Sequence, residues 1–92
     1  MTKVTINQRM REIRDHLGLG RQAFADRTGL KKKTIENIEH EMQRINGEQI
    51  EAINEAFPEY AYWLTTGLEL PGSGQISPAT KEAQELNNLK AA

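Results

Sequence analysis

Apolar residues recur at helical spacing along the first part of the chain. The first stripe follows steps of four, three and four and consists of Ile6, Met10, Ile13 and Leu17. Thr5, with Gln8 three residues later, has the pattern of a capping box, and Gly18 can end a helix in the left-handed conformation. The pattern therefore predicts helix 1 over about residues 6–17.

Two shorter helical segments follow and are separated by a glycine. The first is predicted over about 21–28 from Ala23, Phe24, Ala25 and Thr28. The second is predicted over about 31–39 from Leu30, Thr34, Ile35 and Ile38. Gly29 between them can take the positive φ that a tight turn needs. Two short helices joined by such a turn form a helix-turn-helix unit.

The rest of the chain is also predicted to be helical. Residues 40–45 have no apolar periodicity and should form a loop, after which Asn46 and Gln49 have the pattern of a second capping box. The fourth helix then ends at Pro58. The aromatic-rich segment 59–66 predicts a fifth helix that closes the core. The fold class is therefore all-α, a compact five-helix domain.

A change of composition at 71–74, Pro-Gly-Ser-Gly, indicates a linker. We therefore divide the chain into a domain over 1–70 and a tail over 71–92. Ser77 and Pro78 form an N-cap and first helical residue, which predicts a sixth helix to about Lys90. Its thin apolar stripe consists of Ala79, Ala83, Leu86 and Leu89. So short a stripe needs a partner to be stable in water, which makes the tail the first candidate for a dimerisation element. The alternative is that the stripe folds back on its own domain and a dimer forms through residues 60–70.

The bulk composition limits the class of protein. The 92 residues suffice for one domain, there is no cysteine, and neither a secretory signal nor an 18-residue apolar run is present. We therefore expect a cytoplasmic protein with no membrane association. Two histidines, His16 and His40, and the lack of a glycine-rich phosphate loop predict that the protein is not an enzyme. We expect no cofactor and no metal site.

Charge is distributed unevenly along the chain. Residues 1–44 carry ten Lys and Arg against six Asp and Glu, a charge of +4, and residues 45–92 carry two against seven, a charge of −5. The two values add to the formal net charge of −1. Such a division can give a nearly neutral protein one positive face for contact with nucleic acid. Chance clustering in a short chain is the alternative explanation.

Three lysines, Lys31, Lys32 and Lys33, stand at the beginning of the third predicted helix. Because a helix N-terminus is the positive end of its dipole, each cation there loses about 0.3–1 kcal/mol. An approaching phosphate or base acceptor would reverse the sign, since it meets the lysines and free backbone N–H groups together. Glu36 and Asn37 share the outer face one turn later, where Asn can pair with adenine and Glu with cytosine. This cluster predicts contact with DNA, with a solvated charge run as the alternative.

A set of residues from Met10 to Gly67 forms a pattern known from one family. Its members are Arg14, Gly18-Leu19, Phe24-Ala25, Gly29-Leu30, Thr34-Ile35, Ile38-Glu39, Ile50, Ile53 and Trp63-Leu64-Thr65-Thr66-Gly67. This pattern resembles the Cro and repressor type of helix-turn-helix protein from phage lambda, also called the XRE family. The resemblance implies five packed helices and a transcriptional regulator of the repressor kind that binds double-stranded DNA as a homodimer at an inverted-repeat operator.

The resemblance also implies roles for individual residues. The implied DNA-binding set is Arg21, Gln22, Lys31, Lys32, Lys33, Thr34, Glu36, Asn37 and Arg44. Arg21 stands where the family has a phosphate-holding Gln, and Arg44 lies in the loop that contacts the sugar-phosphate backbone. Arg14 and Glu39 stand at positions that pair within the family's fold, so we expect them to form an internal ion pair.

Four positions depart from the family pattern. Gly20 and Lys31 replace the usual hydroxyl N-caps, so both caps are expected to be weaker. Glu41 and Ile45 replace a common Gly and Pro, which predicts a different shape for the loop after the third helix. The acidic second half and the added tail also favour an alternative function. In that hypothesis the chain is an antitoxin or antirepressor whose main partner is a protein.

Overall fold

The computed structural model describes residues 4–91. Its α-helices, in chain order, are α1 (Ile6–His16), α2 (Arg21–Thr28), α3 (Lys32–Glu39), α4 (Gly47–Ala56), α5 (Ala61–Thr66) and α6 (Pro78–Ala91). One turn of 3₁₀ helix, Pro58–Tyr60, leads into α5, and another, Pro71–Ser73, precedes α6. Within the described residues, β structure is limited to an isolated bridge between Leu70 and Gln75. The all-α fold predicted from the sequence is confirmed.

The helix starts follow the capping chemistry of the sequence. In α1, Thr5 Oγ1 accepts from the Gln8 N–H at 3.2 Å and Gln8 Oε1 accepts from the Thr5 N–H at 2.8 Å. The same reciprocal pair joins Asn46 and Gln49 at the start of α4, with both distances 2.9 Å. Both predicted capping boxes are therefore confirmed. α2 and α3 begin without any side-chain cap, as the sequence also predicts.

One apolar core holds the first five helices together. Its fully buried large side chains are Met10, Ile13, Phe24, Ile35, Ile38, Ile53, Tyr60 and Leu64. Full burial of such side chains stabilises the fold by about 1.5–3 kcal/mol each. The rings of Phe24 and Phe57 stack with centroids 5.7 Å apart, and the guanidinium of Arg27 lies 5.3 Å from the Phe57 centroid. This packing fixes α2 and α4 against each other.

Arg9 joins the beginning of the domain to its end. Its Nε donates to the carbonyl of Leu64 at 2.9 Å, and its Nη1 donates to the carbonyl of Val4 at 2.8 Å. Burial lowers the pKa of Arg9, and the nearby charge of Glu12 raises it in part. A cation at the last carbonyls of α5 also complements the helix dipole. Arg9 therefore holds α1 and α5 in register.

The segment before α6 contacts the core as far as Ser77. Gln75 donates from Nε2 to the carbonyl of Pro58 at 3.0 Å, and its Oε1 accepts from the Tyr62 N–H at 2.9 Å. Ile76 is a core residue with 6% of its surface exposed. The predicted linker residues therefore form an ordered turn, and the division of the chain after residue 70 stays a prediction.

α6 begins as predicted and then leaves the core. Ser77 Oγ accepts from the Thr80 N–H at 3.2 Å, and Pro78 is the first helical residue. The Glu69 carboxylate holds this turn by accepting hydrogen bonds from Thr80 and from the Ser77 N–H. These bonds lower the pKa of Glu69. From Glu82 to Lys90 every side chain is exposed. The apolar stripe of α6 is therefore uncovered along most of its length.

Candidate nucleic-acid interface

The turn between α2 and α3 is built by two residues. Gly29 has a φ of 79°, which the sequence predicts for this position, and its N–H donates to the carbonyl of Ala25 at 2.8 Å. The buried Thr28 hydroxyl donates to the carbonyl of Phe24 at 2.9 Å and accepts from the Leu30 N–H at 3.3 Å. These bonds satisfy the end of α2 and redirect the chain within two residues. The turn therefore sets the angle at which α3 leaves α2.

The core fixes which face of α3 points outward. Ile35 and Ile38 are fully buried, so the positions between them are turned away from the core. Lys31, Lys32 and Lys33 are exposed, and Thr34, Glu36 and Asn37 are half-buried. The structure thus brings the predicted α3 residues to one outer surface. Here we call that surface the α3 front, meaning Lys31 to Thr34 with Glu36 and Asn37.

The α3 front has little internal compensation for its charge. The first turn of α3 contains no acidic residue, and its N-cap Lys31 makes no side-chain capping bond to the helix. One ion pair is present there, between Lys33 Nζ and Glu36 Oε2 at 3.9 Å, and the Lys33 side chain is 79% exposed. Exposed pairs of this kind contribute about 0–1 kcal/mol. The lysines therefore remain available to an anion.

Glu39 lies behind α3 and is bound by two arginines. Arg14 is bidentate to it, with Nε to Oε2 at 2.6 Å and Nη2 to Oε1 at 2.9 Å, and Arg21 Nε reaches Oε1 at 3.0 Å. The Glu39 side chain is fully buried. Burial alone would raise the pKa of Glu39, but the hydrogen bonds from Arg14 and Arg21 outweigh it and leave the pKa below its usual value. The predicted Arg14–Glu39 ion pair is confirmed.

The two α2 residues of the predicted set both have internal partners. Besides its bond to Glu39, Arg21 directs Nη2 toward His40 Nε2 at 3.4 Å, and its side chain is 30% exposed. Gln22 is exposed and donates to Asp26 Oδ1 at 2.9 Å. Only the part of the Arg21 guanidinium that Glu39 does not bind is open to a further partner. Their role in contacting DNA stays a prediction.

The loop after α3 is held by a residue that sequence analysis missed. Asn7 in α1 is buried; its Nδ2 donates to the carbonyl of Gln43 at 2.9 Å and to Glu41 Oε2 at 3.0 Å. Its Oδ1 accepts from the Ile45 N–H at 3.0 Å. The apolar periodicity of the sequence does not identify Asn7 as a structural residue, because its hydrogen-bond partners lie more than thirty positions away. Asn7 thereby fixes the segment that carries the exposed Arg44.

Glu41 takes the left-handed backbone conformation, with a φ of 58°. It is the single non-glycine residue with positive φ among residues 4–91. The family's common glycine adopts this conformation without penalty, whereas a residue with a Cβ loses about 1–2 kcal/mol. The hydrogen bond from Asn7 to Glu41 offsets part of that loss. The substitution is therefore accommodated by a bond that glycine could not make.

The model of a helix-turn-helix family matches residues 10–64, which is more than half of the chain. This chain belongs to that helix-turn-helix family. The family is of the Cro/C1 type, and its members are DNA-binding transcription regulators. No curated protein matches the chain.

In this helix-turn-helix protein the matched range contains the whole of α2 and α3 and ends within α5. It leaves out the whole of α6 and the turn before it. Where the structure describes the chain, no helix has the length and apolar character of a membrane span. Over those same residues no group of His, Asp and Glu side chains is placed to hold a metal ion.

A groove of about 720 Å³ lies apart from the α3 front in this helix-turn-helix protein. Its walls come from α1, α5 and α6 and the turn before α6, and are lined by Glu12, Asp15, His16, Trp63, Ser77, Pro78, Ala79, Glu82 and Glu85. Four of these side chains are carboxylates. Burial raises the pKa of Tyr60 to about 12, with smaller contributions from Glu59 and Glu85. Two of the four carboxylates, Glu12 and Asp15, come from the basic half of the sequence and two, Glu82 and Glu85, from the acidic half, so the fold gathers acids from both halves in one groove.

Proposed function

We propose that this helix-turn-helix protein is a sequence-specific transcription repressor that binds double-stranded DNA as a homodimer, with α3 in the major groove. The observation that carries the proposal is the exposed Lys31, Lys32 and Lys33 at an uncapped helix N-terminus without acids. This arrangement is unfavourable in the free protein, since cations oppose the helix dipole. A bound phosphate turns the same arrangement into an attraction.

The residues of the α3 front divide between two kinds of contact. Lys32, Lys33, Glu36 and Asn37 face outward and would contact base edges, where Lys pairs with guanine and Asn with adenine. The exposed Arg44 and the helix start at Lys31 would contact phosphates, together with Thr34. Arg21 and Gln22 at the start of α2 would hold the adjacent backbone. Glu36 would contribute to binding only where its carboxylate accepts from a cytosine N4 group, so it would favour operators that place a cytosine at that position.

The homodimer is supported by size and by the uncovered stripe of α6. One short recognition helix contacts few base pairs, and a single module of this size buries too little surface for tight binding against genomic competition. A two-fold dimer doubles the contacts and spaces two recognition helices about 34–36 Å apart. Leu86 and Leu89 are 52% and 74% exposed, and a second copy of α6 would cover them. The operator would then be an inverted repeat.

Selection of bound fragments from random duplex DNA tests the DNA-binding proposal. We expect an enriched inverted repeat with half-sites about one helical turn apart. Failure to enrich any motif with the folded protein would contradict sequence-specific binding. Repression itself is then measured from a reporter gene that carries the selected site near its promoter.

Sedimentation at micromolar concentration tests the α6 dimer. The paired substitution Leu86→Ser and Leu89→Ser should shift the protein toward monomer, because it removes the uncovered apolar stripe. Gln84→Ser with Asn88→Ser, on the other side of the same helix, is the matched control and should leave the association unchanged. If the protein stays dimeric with the leucine substitutions, the dimer interface does not lie on this stripe of α6. A wild-type chain that stays monomeric on its operator would contradict the homodimer.

A second candidate function is favoured by the acidic groove. Four carboxylates and Trp63 line it, and it contains none of the predicted DNA-binding residues. Such a groove fits a basic segment of a protein partner, as in an antitoxin or antirepressor. Failure of the DNA selection to enrich any motif would favour this second candidate, whereas an antitoxin that also binds DNA would still enrich one. Charge reversal at Glu82 and Glu85 would then weaken the complex with that partner and leave α3 intact.

A further inference from the structure

Gln43, in the loop after α3, contacts a residue of the α3 front from behind. Its Oε1 accepts a hydrogen bond from Asn37 Nδ2 at 3.5 Å, a long contact that orients the amide without clamping it. The neighbouring Met42 N–H donates to the carbonyl of Asn37 at 2.8 Å. Asn37 is therefore bonded to the loop through both its backbone and its side chain. Gln43 lies outside the DNA-binding set predicted from sequence.

The loop that presents Gln43 is fixed to α1. The Gln43 carbonyl accepts from Asn7 Nδ2 at 2.9 Å, and two residues later the Ile45 N–H donates to Asn7 Oδ1 at 3.0 Å. Asn7 is 3% exposed, so these bonds are shielded from water. The backbone of Gln43 is therefore held on both sides. Its side chain is half-buried.

This contact has a specific consequence for an asparagine that meets a base. Asn binds adenine by donating from Nδ2 to N7 and accepting at Oδ1 from N6. A flipped amide exchanges donor and acceptor and no longer matches adenine. An acceptor behind Asn37 bonds one of the two Nδ2 hydrogens and repels Oδ1. It thereby leaves the second hydrogen and Oδ1 in the arrangement that adenine requires.

We propose that Gln43 is a positioning residue for base selection, which favours the amide orientation of Asn37 in which this side chain selects adenine. The inference rests on the proposed function, since it needs α3 in the major groove. It assigns Gln43 no contact with DNA. Its effect should appear in the preference between bases at one operator position and leave general affinity for DNA unchanged.

The test compares variants of the full chain on the selected operator. Asn37→Ala first identifies the base pair at which preference is lost. Gln43→Met then keeps the length of the side chain and removes its acceptor, whereas Gln43→Glu keeps an acceptor and adds a charge. Gln84→Met on α6 is the matched control for exchange of a Gln by Met. The readout is the ratio of Kd values between operators with adenine and with each other base at that position.

We expect Gln43→Met to reduce this ratio by about threefold or more, since a bidentate pair gives at least about fivefold discrimination. Gln43→Glu should keep the ratio and weaken binding to all operators alike, because its charge repels phosphates. Gln84→Met should change neither. Melting temperatures of all variants are recorded beside the ratios.

Three outcomes would overturn an assignment. If Asn37→Ala relaxes one position and Gln43→Met leaves that ratio intact, Gln43 is not a positioning residue and the proposed function stands. Loss of the ratio in both Gln43→Met and Gln43→Glu would also overturn the positioning role, because the acceptor would not be its cause. If Asn37→Ala changes the preference at no position, the proposed contact of α3 with base edges fails.

Discussion

The polar groups behind α3 and those in front of it differ in how many partners the protein provides. Behind the helix, Glu39 is bound by Arg14 and Arg21, and Asn7 makes hydrogen bonds to the loop that follows. In front, the lysines of the α3 front are exposed and share one long ion pair. Groups with internal partners hold a helix in place, and groups without them are available to a ligand.

The two sides depend on each other. A recognition helix that moves before binding loses affinity through the free energy needed to order it. The bonds behind α3 remove that motion, since they connect the end of α3 and its loop to α1. The front can then carry charges that destabilise the free protein by a modest amount. The comparison predicts that substitutions behind α3 affect stability first, and that substitutions in front affect DNA binding alone.

The largest effect is expected from breaking the Arg14–Glu39 pair. Arg14→Ala or Glu39→Ala should lower the free energy of unfolding by about 3 kcal/mol, because each leaves a buried charge without its best partner. Chemical denaturation of both single variants and the double variant measures this. The double variant should lose less than the two single losses added together. Simple additivity would contradict a direct pair, and unchanged stability would contradict the role assigned to the back of α3.

The second effect concerns Asn7. Asn7→Ala should cost about 2 kcal/mol, since it leaves the Ile45 N–H and the Gln43 carbonyl buried without a partner. Asn54→Ala is the matched control, because the buried Oδ1 of Asn54 has no hydrogen-bond partner within residues 4–91. We expect that control to stay within about 0.5 kcal/mol of wild type. Equal losses for both variants in thermal denaturation would show that Asn7 acts by burial alone.

A third effect should appear in front of α3. Lys32→Ala with Lys33→Ala should weaken operator binding by about tenfold or more, because two cations that would contact base edges within the negative potential of the DNA are lost. The melting temperature should stay the same or rise slightly, since these cations oppose the helix dipole. Titration by fluorescence anisotropy at two salt concentrations measures both the affinity and its salt slope. A double variant that unfolds, or that binds as before, would mean that the front of α3 has been assigned wrongly.

The smallest expected effect is on how the free energy of unfolding depends on pH. The pKa of Glu39 is lower in the folded than in the unfolded protein, so as pH falls below about 4.3 the unfolded state takes up this proton first. The stabilisation from Glu39 is thus complete at neutral pH and is lost as pH falls toward its folded pKa. Glu39→Gln should be less stable than wild type at pH 7 and should lose less on acidification. Parallel curves of stability against pH for the two proteins would contradict this assignment.

Much of this architecture could be predicted from local signals. The two capping boxes and the positive φ of Gly29 follow from residues within three or four positions of one another, and the outer face of α3 follows from the spacing of Ile35 and Ile38. The Arg14–Glu39 pair could be expected from the family resemblance. That signal did not reveal that Arg21 shares the same carboxylate.

Other features have no local signal. Asn7 bonds mostly to backbone groups of a distant loop, and backbone groups look alike in every sequence. Ile76 stands alone after a Pro-Gly-Ser-Gly segment, so no periodicity marks it as a core residue. Gln43 acquires its position only when the loop is folded back onto α3 by Asn7. Long-range polar contacts of this kind require the folded backbone before they can be recognised.

The bond from Arg9 to Leu64 has a consequence for how the chain is made. Its two partners are separated by 55 positions, so α1 leaves the ribosome long before the carbonyl that satisfies its arginine exists. The contacts of α2 with α3 are local and can form during synthesis, whereas the closure of α1 on α5 must wait for residue 64. Non-local contacts of this kind are the slow part of folding. Until that moment the Arg9 guanidinium lacks the carbonyl that it bonds in the folded protein.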